Sequence, residues 1–218
     1  MTIFQKLFWL RQMGIRVLCQ EKPRVFGSSC HKGIDGGQSL GQLDQKLVAS
    51  KSSLSATATH PLGGIGPVPA KVMCVLEMPT AAEDRTGVPL SGEEGALFQK
   101  MLGAVGLDIK TQTYVAYLSP WRSPGARVLT GVETQEGLAL LKERIQLVKP
   151  EVLLLLGIHV VQALLGVPLG QARTKVHDWQ GIPVFATFAP GFLMKNPAYK
   201  KGAWVDLQKL QSHLENKK

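Results

Sequence analysis

The amino-acid sequence predicts an α/β protein: a three-layer α/β/α sandwich around a four-stranded parallel sheet, preceded by a flexible N-terminal segment. From residue 70 onward, short apolar stretches alternate with helical patterns four times. Such alternation favours parallel strands joined by right-handed crossovers. The stretch EVLLLLG at residues 151–157 is apolar throughout, which is typical of a parallel strand covered by helices on both faces.

The individual elements follow from apolar spacing and from the residues that end each pattern. Leu138, Leu141, Ile145 and Val148 repeat at helical spacing, and Pro150 ends the repeat. The predicted strands are Lys71–Glu77, Thr113–Ser119, Glu151–Gly157 and Ile182–Phe188. The predicted helices are Glu93–Val105, Val132–Val148, His159–Leu165 and Tyr199–Asn216.

Composition divides the chain into three parts. Residues 1–24 are predicted to be an N-terminal partner-binding peptide, residues 25–69 a flexible linker, and residues 70–218 the α/β domain. The linker prediction rests on strings such as GGQSLGQ and SKSSLSATAT, which hold too few large apolar residues to offset the entropy of ordering. Within it, Leu40, Leu43 and Leu47 allow one or two turns of helix.

Charge and hydropathy limit the function classes. No apolar run reaches the roughly 18 residues that a membrane span needs, and Arg11 and Arg16 interrupt the apolar N-terminus, which argues against a secretory signal. The three cysteines lack metal-ligand spacing and predict reduced thiols in the cytoplasm. The formal charge of +9 fits a nucleic-acid partner and plain solubility equally well.

The N-terminal peptide carries an apolar face at helical spacing. Phe4, Leu7, Phe8, Leu10 and Met13 fall at spacings of three and four, as in the pairs 4/7, 4/8, 7/10 and 10/13, and Gly14 follows as a helix end. Such a face has to be buried. Either it packs on the protein's own domain, or a partner takes it up in a groove.

The stretch LEMPTAAEDRTGVPLSGEEG at residues 76–95 leaves the end of the first predicted strand. The carboxyl ends of parallel strands bring their loops to one edge, where such sheets bind ligands. Candidate side chains in this stretch include Glu77 and Asp84, whereas His159 favours a core or capping role. Since no nucleophile turn, P-loop or dinucleotide fingerprint is present, the loops predict a ligand site without a reactive centre.

Residues 71–207 resemble the uracil-DNA glycosylase superfamily, most closely its bacterial iron–sulfur type. That family has a strand ending in GEAPG, followed by ED, GRPF and Gly. This chain has LEMPT at 76–80, EDR at 83–85, GVPL at 87–90 and Gly92, and the match continues through LVKPE at 147–151 and KNP at 195–197. The resemblance implies the fold of that family.

The resemblance also exposes departures at the positions that carry the chemistry. The family reads the base with an Asn, stacks it on a Phe and stabilises the departing uracil with the His of a His-Pro-Ser motif. This chain has Tyr117, Leu90 and Ala189 there. Only Glu77 remains of the catalytic set, which predicts a vestigial site and no turnover. The five positions of this relic substrate pocket are Glu77, Pro79, Leu90, Tyr117 and Ala189.

The iron–sulfur type binds its cluster through four cysteine thiolates. In this chain, those positions fall on Ala49, Ser52, Trp121 and Gly137. None of these side chains can ligate iron, so the sequence predicts no cofactor and no metal.

The N-terminal sequence FWLRQMGI at residues 8–15 resembles the corresponding peptide of the psi subunits of bacterial DNA polymerase III. The resemblance implies a non-catalytic replisome adaptor whose peptide docks on the gamma/tau subunits of the clamp loader. The folded domain would bind the chi subunit, and through it single-stranded-DNA-binding protein, with a weak direct DNA contact and no membrane contact. The implied anchors are Phe4, Phe8, Leu10, Met13, Ile15 and Leu18.

Two other functions stay open at this point. One is a cluster-less uracil-DNA glycosylase or lesion-binding protein of base-excision repair, for which Glu77 and Asp84 are the catalytic candidates. The other is a pseudoenzyme that binds DNA through its basic surface alone. The adaptor is the preferred interpretation, and it predicts that the protein is not an enzyme.

Overall fold

The computed structural model describes residues 39–49 and 52–216. Its centre is a six-stranded sheet with the strand order β1-β3-β2-β4-β6-β5. The four inner strands, β3, β2, β4 and β6, are mutually parallel. The strands are β1 (Gly64–Ile65), β2 (Val72–Leu76), β3 (Thr113–Tyr117), β4 (Val152–Leu156), β5 (His177–Trp179) and β6 (Ile182–Thr187).

The four parallel strands confirm the predicted strands, each within two residues of the predicted ends. In register, Val72 of β2 lies between Thr113 of β3 and Val152 of β4. Every residue of β3 and β4 is buried, so both faces of the sheet are covered by other layers. The apolar run at residues 151–157 therefore has the environment that its composition indicates.

The prediction of a four-stranded sheet is wrong, because two short antiparallel strands extend its edges. β1 pairs with β3, and β5 pairs with β6. β1 is two residues long and β5 is three, too short to show an alternating apolar pattern. β1 also lies within a Gly- and Pro-rich stretch whose composition favours a linker.

Eight α-helices surround the sheet in the described part of the chain. The four predicted helices are present, and the additional ones are mostly short segments of four or six residues. The helices are α1 (Leu40–Ala49), α2 (Ala81–Thr86), α3 (Gly92–Ala104), α4 (Gly131–Val148), α5 (Ile158–Leu165), α6 (Leu169–Ala172), α7 (Pro190–Lys195) and α8 (Lys200–Asn216). No helix within residues 39–49 and 52–216 has the length and apolar character needed to cross a lipid bilayer.

The order of the strands creates a switch point between β2 and β4. From β2 the chain moves to β3 on one side, and from β4 it moves to β6 on the other. Right-handed crossovers in opposite directions place helices on opposite faces of the sheet. The loops that leave β2 and β4 therefore lie at the switch point, where open α/β sheets have the crevice that binds ligands.

Part of the predicted linker packs on the domain. Leu43 and Leu47 of α1 are buried, as are Leu54 and Leu62. These side chains explain why α1 contacts α4, although the surrounding composition is poor in large apolar residues. Residues 1–38 lie outside the described residues, so the predicted division of the chain at residues 24 and 69 stays a prediction.

A charged contact fixes α1 to the domain. Arg144 of α4 is 3% exposed, and its Nη2 lies 2.6 Å from Asp44 Oδ1 on α1. Its Nη1 donates a hydrogen bond of 3.0 Å to the hydroxyl of Tyr114 in β3. Because a guanidinium this deeply buried needs an anionic partner, the position of α1 depends on this pair as well as on its leucines.

Replacing Asp44 should loosen this arrangement. Asp44→Ala leaves the Arg144 charge buried with only Tyr114 as a partner. We expect this substitution to lower the free energy of unfolding by about 2 kcal/mol. The loss is smaller than for a fully buried pair because the Asp44 side chain is 44% exposed. Urea-induced unfolding measures the change. Glu143→Ala, an exposed change next to Arg144, is the control, and an equal effect of the two substitutions would contradict the assignment.

The N-terminus of α4 gives a prediction about pH. Thr130 and Glu133 form a capping box, and the two guanidinium nitrogens of Arg127 donate bonds of 2.8 and 2.6 Å to the Glu133 carboxylate. These bonds, with that from the Thr130 backbone, lower the pKa of Glu133 from 4.5 to about 2. The ionised carboxylate therefore stabilises the fold above pH 4.5, and this contribution is lost as the pH falls to about 2.

Glu133→Gln should destabilise the protein by about 1 kcal/mol at pH 7, because it weakens the cap. We expect the difference from the wild type to shrink as the pH is lowered from 4.5 toward 2. Urea unfolding at a series of pH values measures it, with the exposed Glu143→Gln on the same helix as the control. A difference that does not change with pH would exclude the ionised carboxylate as the cause.

Candidate active site

The crevice at the switch point contains one carboxylate and one imidazole. Glu77 is the first residue beyond β2, and His159 is the second residue of α5, which follows β4. Glu77 Oε1 lies 4.0 Å from His159 Nε2, and the side chains are 28% and 44% exposed. Burial raises the pKa of Glu77, and the charge of His159 opposes this rise. Both groups are open to a ligand.

A glycine turn directs His159 into the crevice. Gly157 has φ 106°, a conformation that favours glycine, and its N–H donates a bond of 2.9 Å to the Thr187 carbonyl. A Cβ at residue 157 would lie 3.2 Å from the Cβ of Ala189. The start of α5 therefore packs against the loop after β6, at the position where the resemblance placed the family's histidine.

The loop after β2 is organised by a buried carboxylate. Glu83 Oε1 accepts bonds of 2.6 Å from the hydroxyl of Tyr117 and from the N–H of Leu90, and Oε2 accepts one of 2.7 Å from the N–H of Thr80. Burial, reinforced by the charge of Glu83, raises the pKa of Tyr117. Glu83 therefore positions the loop, and its lone pairs are taken by the protein itself.

The remaining predicted pocket residues line or support the same loop. Leu90 is buried with φ 60°, and α3 passes so close that a Cβ at Gly95 would collide with the Leu90 carbonyl. The carbonyl of Pro79 accepts a bond of 3.3 Å from Nη1 of Arg122. Glu77, Pro79 and Leu90 thus lie in the segment after β2, and Tyr117 lies at the end of the neighbouring strand β3. Ala189 lies in the loop after β6, next to the Gly157 turn.

Asp84, the second catalytic candidate, has a structural role. Its Oδ1 accepts bonds of 2.8 Å from the N–H of Thr59 and 3.2 Å from that of His60. Its carbonyl lies 2.6 Å from Nδ1 of the His60 ring. Asp84 therefore ties residues 59–60 to α2.

Glu94 of α3 lies against Gly191 at the start of α7. Its carboxylate occupies the space that a side chain at Gly191 would need. Burial, together with the charge of Glu83, raises the pKa of Glu94, whereas Lys195 and Arg122 oppose the rise. Glu94 was not among the predicted site residues, because nothing in the sequence pairs it with Gly191.

Beyond β6, a buried network fixes the last loop. Asp206 of α8 accepts a bond of 3.0 Å from Thr187 Oγ1 and one of 2.6 Å from Arg173 Nε. The Arg173 guanidinium lies 4.0 Å above the ring of Phe188. Because Thr187 also receives the Gly157 N–H, this network fixes the turn that presents His159.

The surroundings of Ser52, Trp121 and Gly137, three of the four positions of the family's cluster, do not fit an iron–sulfur group. Ser52 Oγ donates a bond of 3.1 Å to Glu136, the Trp121 side chain is buried, and a Cβ at Gly137 would collide with the Leu118 carbonyl. Among residues 39–49 and 52–216, no group of three or more His, Cys, Asp or Glu side chains can hold a metal ion.

Cys74 of β2, the one cysteine in the described ranges, is buried, and burial raises the pKa of its thiol. It lies in the core, away from any ligand set.

Comparison with known proteins gives matches over the α/β domain. The sequence model of the Uracil DNA glycosylase superfamily matches residues 64–208. The type-4 uracil-DNA glycosylase of Archaeoglobus fulgidus is 24% identical over 184 residues, covering 79% of this chain and 92% of the relative. That of Thermotoga maritima is 26% identical over 168 residues, covering 74% and 87%.

A further relative is a DNA polymerase of Bacillus phage SP01, which is 26% identical over 158 residues. The match covers 72% of this chain but only 17% of the polymerase. This chain thus spans a small part of the polymerase and most of the length of the two glycosylases.

These matches overturn two predictions. The curated relatives that match this chain over most of their own length are type-4 uracil-DNA glycosylases. No match supports a psi subunit. The predicted replisome adaptor and the prediction that the protein is not an enzyme are therefore wrong. The contacts with gamma/tau, chi and single-stranded-DNA-binding protein depended on that adaptor function and are untested.

The predicted partner-binding residues Phe4, Phe8, Leu10, Met13, Ile15 and Leu18 lie outside the described residues. The cytoplasmic location stays a prediction.

The network around Glu83 can be tested by substitution. Glu83→Ala leaves the Tyr117 hydroxyl and two backbone N–H groups without their acceptor, and we expect the free energy of unfolding to fall by about 3 kcal/mol. Tyr117→Phe removes a single bond and should cost about 1 kcal/mol. Thermal and urea unfolding measure both, with Glu93→Ala as the exposed control. Equal stability of all three variants would show that the network contributes nothing.

The comparisons and the structure agree on the same part of the chain. The matched range, residues 64–208, begins at β1, contains every strand of the sheet and ends within α8. It includes Glu77, His159 and the loops that leave the four parallel strands. This chain belongs to the uracil DNA glycosylase superfamily.

Proposed function

We propose that this protein excises uracil, or a closely related damaged base, from DNA by hydrolysing the N-glycosidic bond. The observation that carries the proposal is the carboxylate of Glu77, which stands at the switch point of the sheet, partly exposed, at the end of β2. The family match and the type-4 glycosylase relatives support the same reaction class.

The crevice suits a base that has been rotated out of the DNA stack. An enzyme of this class has to reach C1′ of the target nucleotide and exclude the neighbouring bases. Glu77 would accept a proton from the attacking water, since a half-buried carboxylate with a raised pKa is a stronger base than one free in water. The fixed loop from Thr80 to Leu90 would form one wall.

Cationic side chains near the crevice support binding of the DNA backbone. Arg122 follows β3 and Lys195 ends α7, and the charges of both reach Glu94 at the side of the crevice. The chain has a formal charge of +9. Phosphate contacts of this kind supply affinity that falls as salt rises.

The substitutions at the pocket change how a base would be read. The hydroxyl of Tyr117 is committed to Glu83 at 2.6 Å, so it offers no free edge of the kind that an asparagine amide presents. Leu90 offers apolar contact without an aromatic face. We therefore expect weak discrimination among small damaged bases, with uracil as the first substrate to test.

An excision assay tests the proposal. The wild type and Glu77→Gln are incubated with single-stranded oligonucleotides that carry one deoxyuridine, and alkaline cleavage at the resulting abasic site reports excision. Removal of a general base should slow the reaction by about 10²–10³-fold. Glu93→Gln, an exposed acidic residue on α3, is the matched control.

Equal rates for the wild type and Glu77→Gln would exclude Glu77 as the base. Absence of product from the wild type on uracil would refute the proposed reaction on this substrate.

A further inference from the structure

We infer that His159 is a catalytic residue of this site, where it stabilises and protonates the departing base as the partner of Glu77. The inference rests on the proposed function and deepens it, because it assigns the acid that protonates the departing base. The sequence alone favoured a core or capping role for this residue.

The geometry separates His159 from a core histidine. It follows β4, next to β2 in the sheet, so its ring and the Glu77 carboxylate converge from adjacent strands at 4.0 Å. Its side chain is nearly half exposed, and Glu77 provides its polar contact within the described part of the chain. A ligand in the crevice can touch both groups.

The other described histidines either have a polar contact within the protein or have a buried ring nitrogen. Nδ1 of His60 lies 2.6 Å from the Asp84 carbonyl. The ring of His213 packs edge-on against Phe185 at 5.3 Å between centroids, and the Nε2 atoms of His177 and His213 are buried. Among residues 39–49 and 52–216, His159 is therefore the imidazole that faces a carboxylate at the strand ends.

The Gly157 turn gives His159 its direction. This turn presses against Ala189 and bonds to Thr187, which Asp206 holds in turn. A small side chain at residue 189 leaves the space into which the start of α5 extends. The backbone at the start of α5, from which the ring extends, is thus tied to a buried network.

The pair can complete the reaction without another proton donor. The oxygen of water forms a bond to C1′ while the N-glycosidic bond breaks, and its electron pair goes to the base nitrogen. Glu77 takes one proton from the water, and protonated His159 gives its proton to the base. Glu77 is then neutral and His159 uncharged, and one proton passing between them across about 4 Å restores the starting state.

The test combines single-turnover kinetics with a measurement of binding. His159→Gln keeps a polar side chain of similar size but cannot act as an acid, and we expect the excision rate on the deoxyuridine oligonucleotide to fall by about 10²-fold. The Kd for the same oligonucleotide should change little, since the residue acts on the leaving base. His177→Gln, on the edge strand β5, is the control and should behave as the wild type.

The double variant Glu77→Gln/His159→Gln distinguishes a pair from two separate effects. If the residues act together, its rate should lie close to that of the slower single variant, because groups that work as a unit are not additive. Multiplied losses would show that the two act independently and would overturn the assignment of a pair. Circular dichroism and thermal unfolding confirm that each variant is folded.

A second readout does not depend on turnover. Free uracil is titrated into the wild type, and the ring signals of His159, assigned by their loss in His159→Gln, are followed by NMR. We expect these signals to shift, while those of His177 stay in place.

Normal excision by His159→Gln would overturn the inference and leave the proposed function standing. If the wild type shows no excision, the proposed function fails. The titration then decides the role of His159 alone, and unshifted ring signals refute its contact with the base.

Discussion

The geometry of the crevice depends on one buried carboxylate. Glu83 caps α2, accepts the Tyr117 hydroxyl and holds the N–H of Leu90. A buried charge is stable only when hydrogen bonds replace its water, and here three donors do so, two from the segment after β2 and one from the end of β3. The loop after β2 and the end of β3 are consequently fixed to each other beside Glu77.

The second constraint is the order of the strands. Glu77 and His159 are 82 positions apart in the sequence, yet they meet because β2 and β4 are neighbours and the chain leaves them in opposite directions. Their separation of 4.0 Å follows from parallel register and from the Gly157 turn. Chemistry at such a site is assembled by topology, and no local motif contains both residues.

Local patterns predicted the parts of the fold that they control. Continuous apolar runs identified the four parallel strands, and the spacing of Leu138, Leu141 and Ile145 identified α4, because burial on one side imposes these periods. β1 and β5 are too short to show a period. The site was predicted in part: Glu77 lay in a recognisable frame, but the role of His159 needs the neighbouring strand to be known.

The type-4 glycosylase relatives contradict the prediction of a pseudoenzyme, which compared the chain with the family one position at a time. In the structure the departures are linked. Leu90 and Tyr117 are bonded to the same Glu83 carboxylate, and Ala189 packs against the turn that presents His159. The residues at these positions therefore have to be interpreted together with the side chains that they contact.

The same linkage holds at the positions expected for a metal cluster. There Ser52 bonds to Glu136, and the adjacent Ser53 donates a bond of 3.2 Å to Glu133. Glu133 is in turn held by Arg127 at 2.6 Å. Hydrogen bonds and an ion pair thus connect residues 52–53 to the start of α4, although these segments lie some eighty positions apart in the sequence.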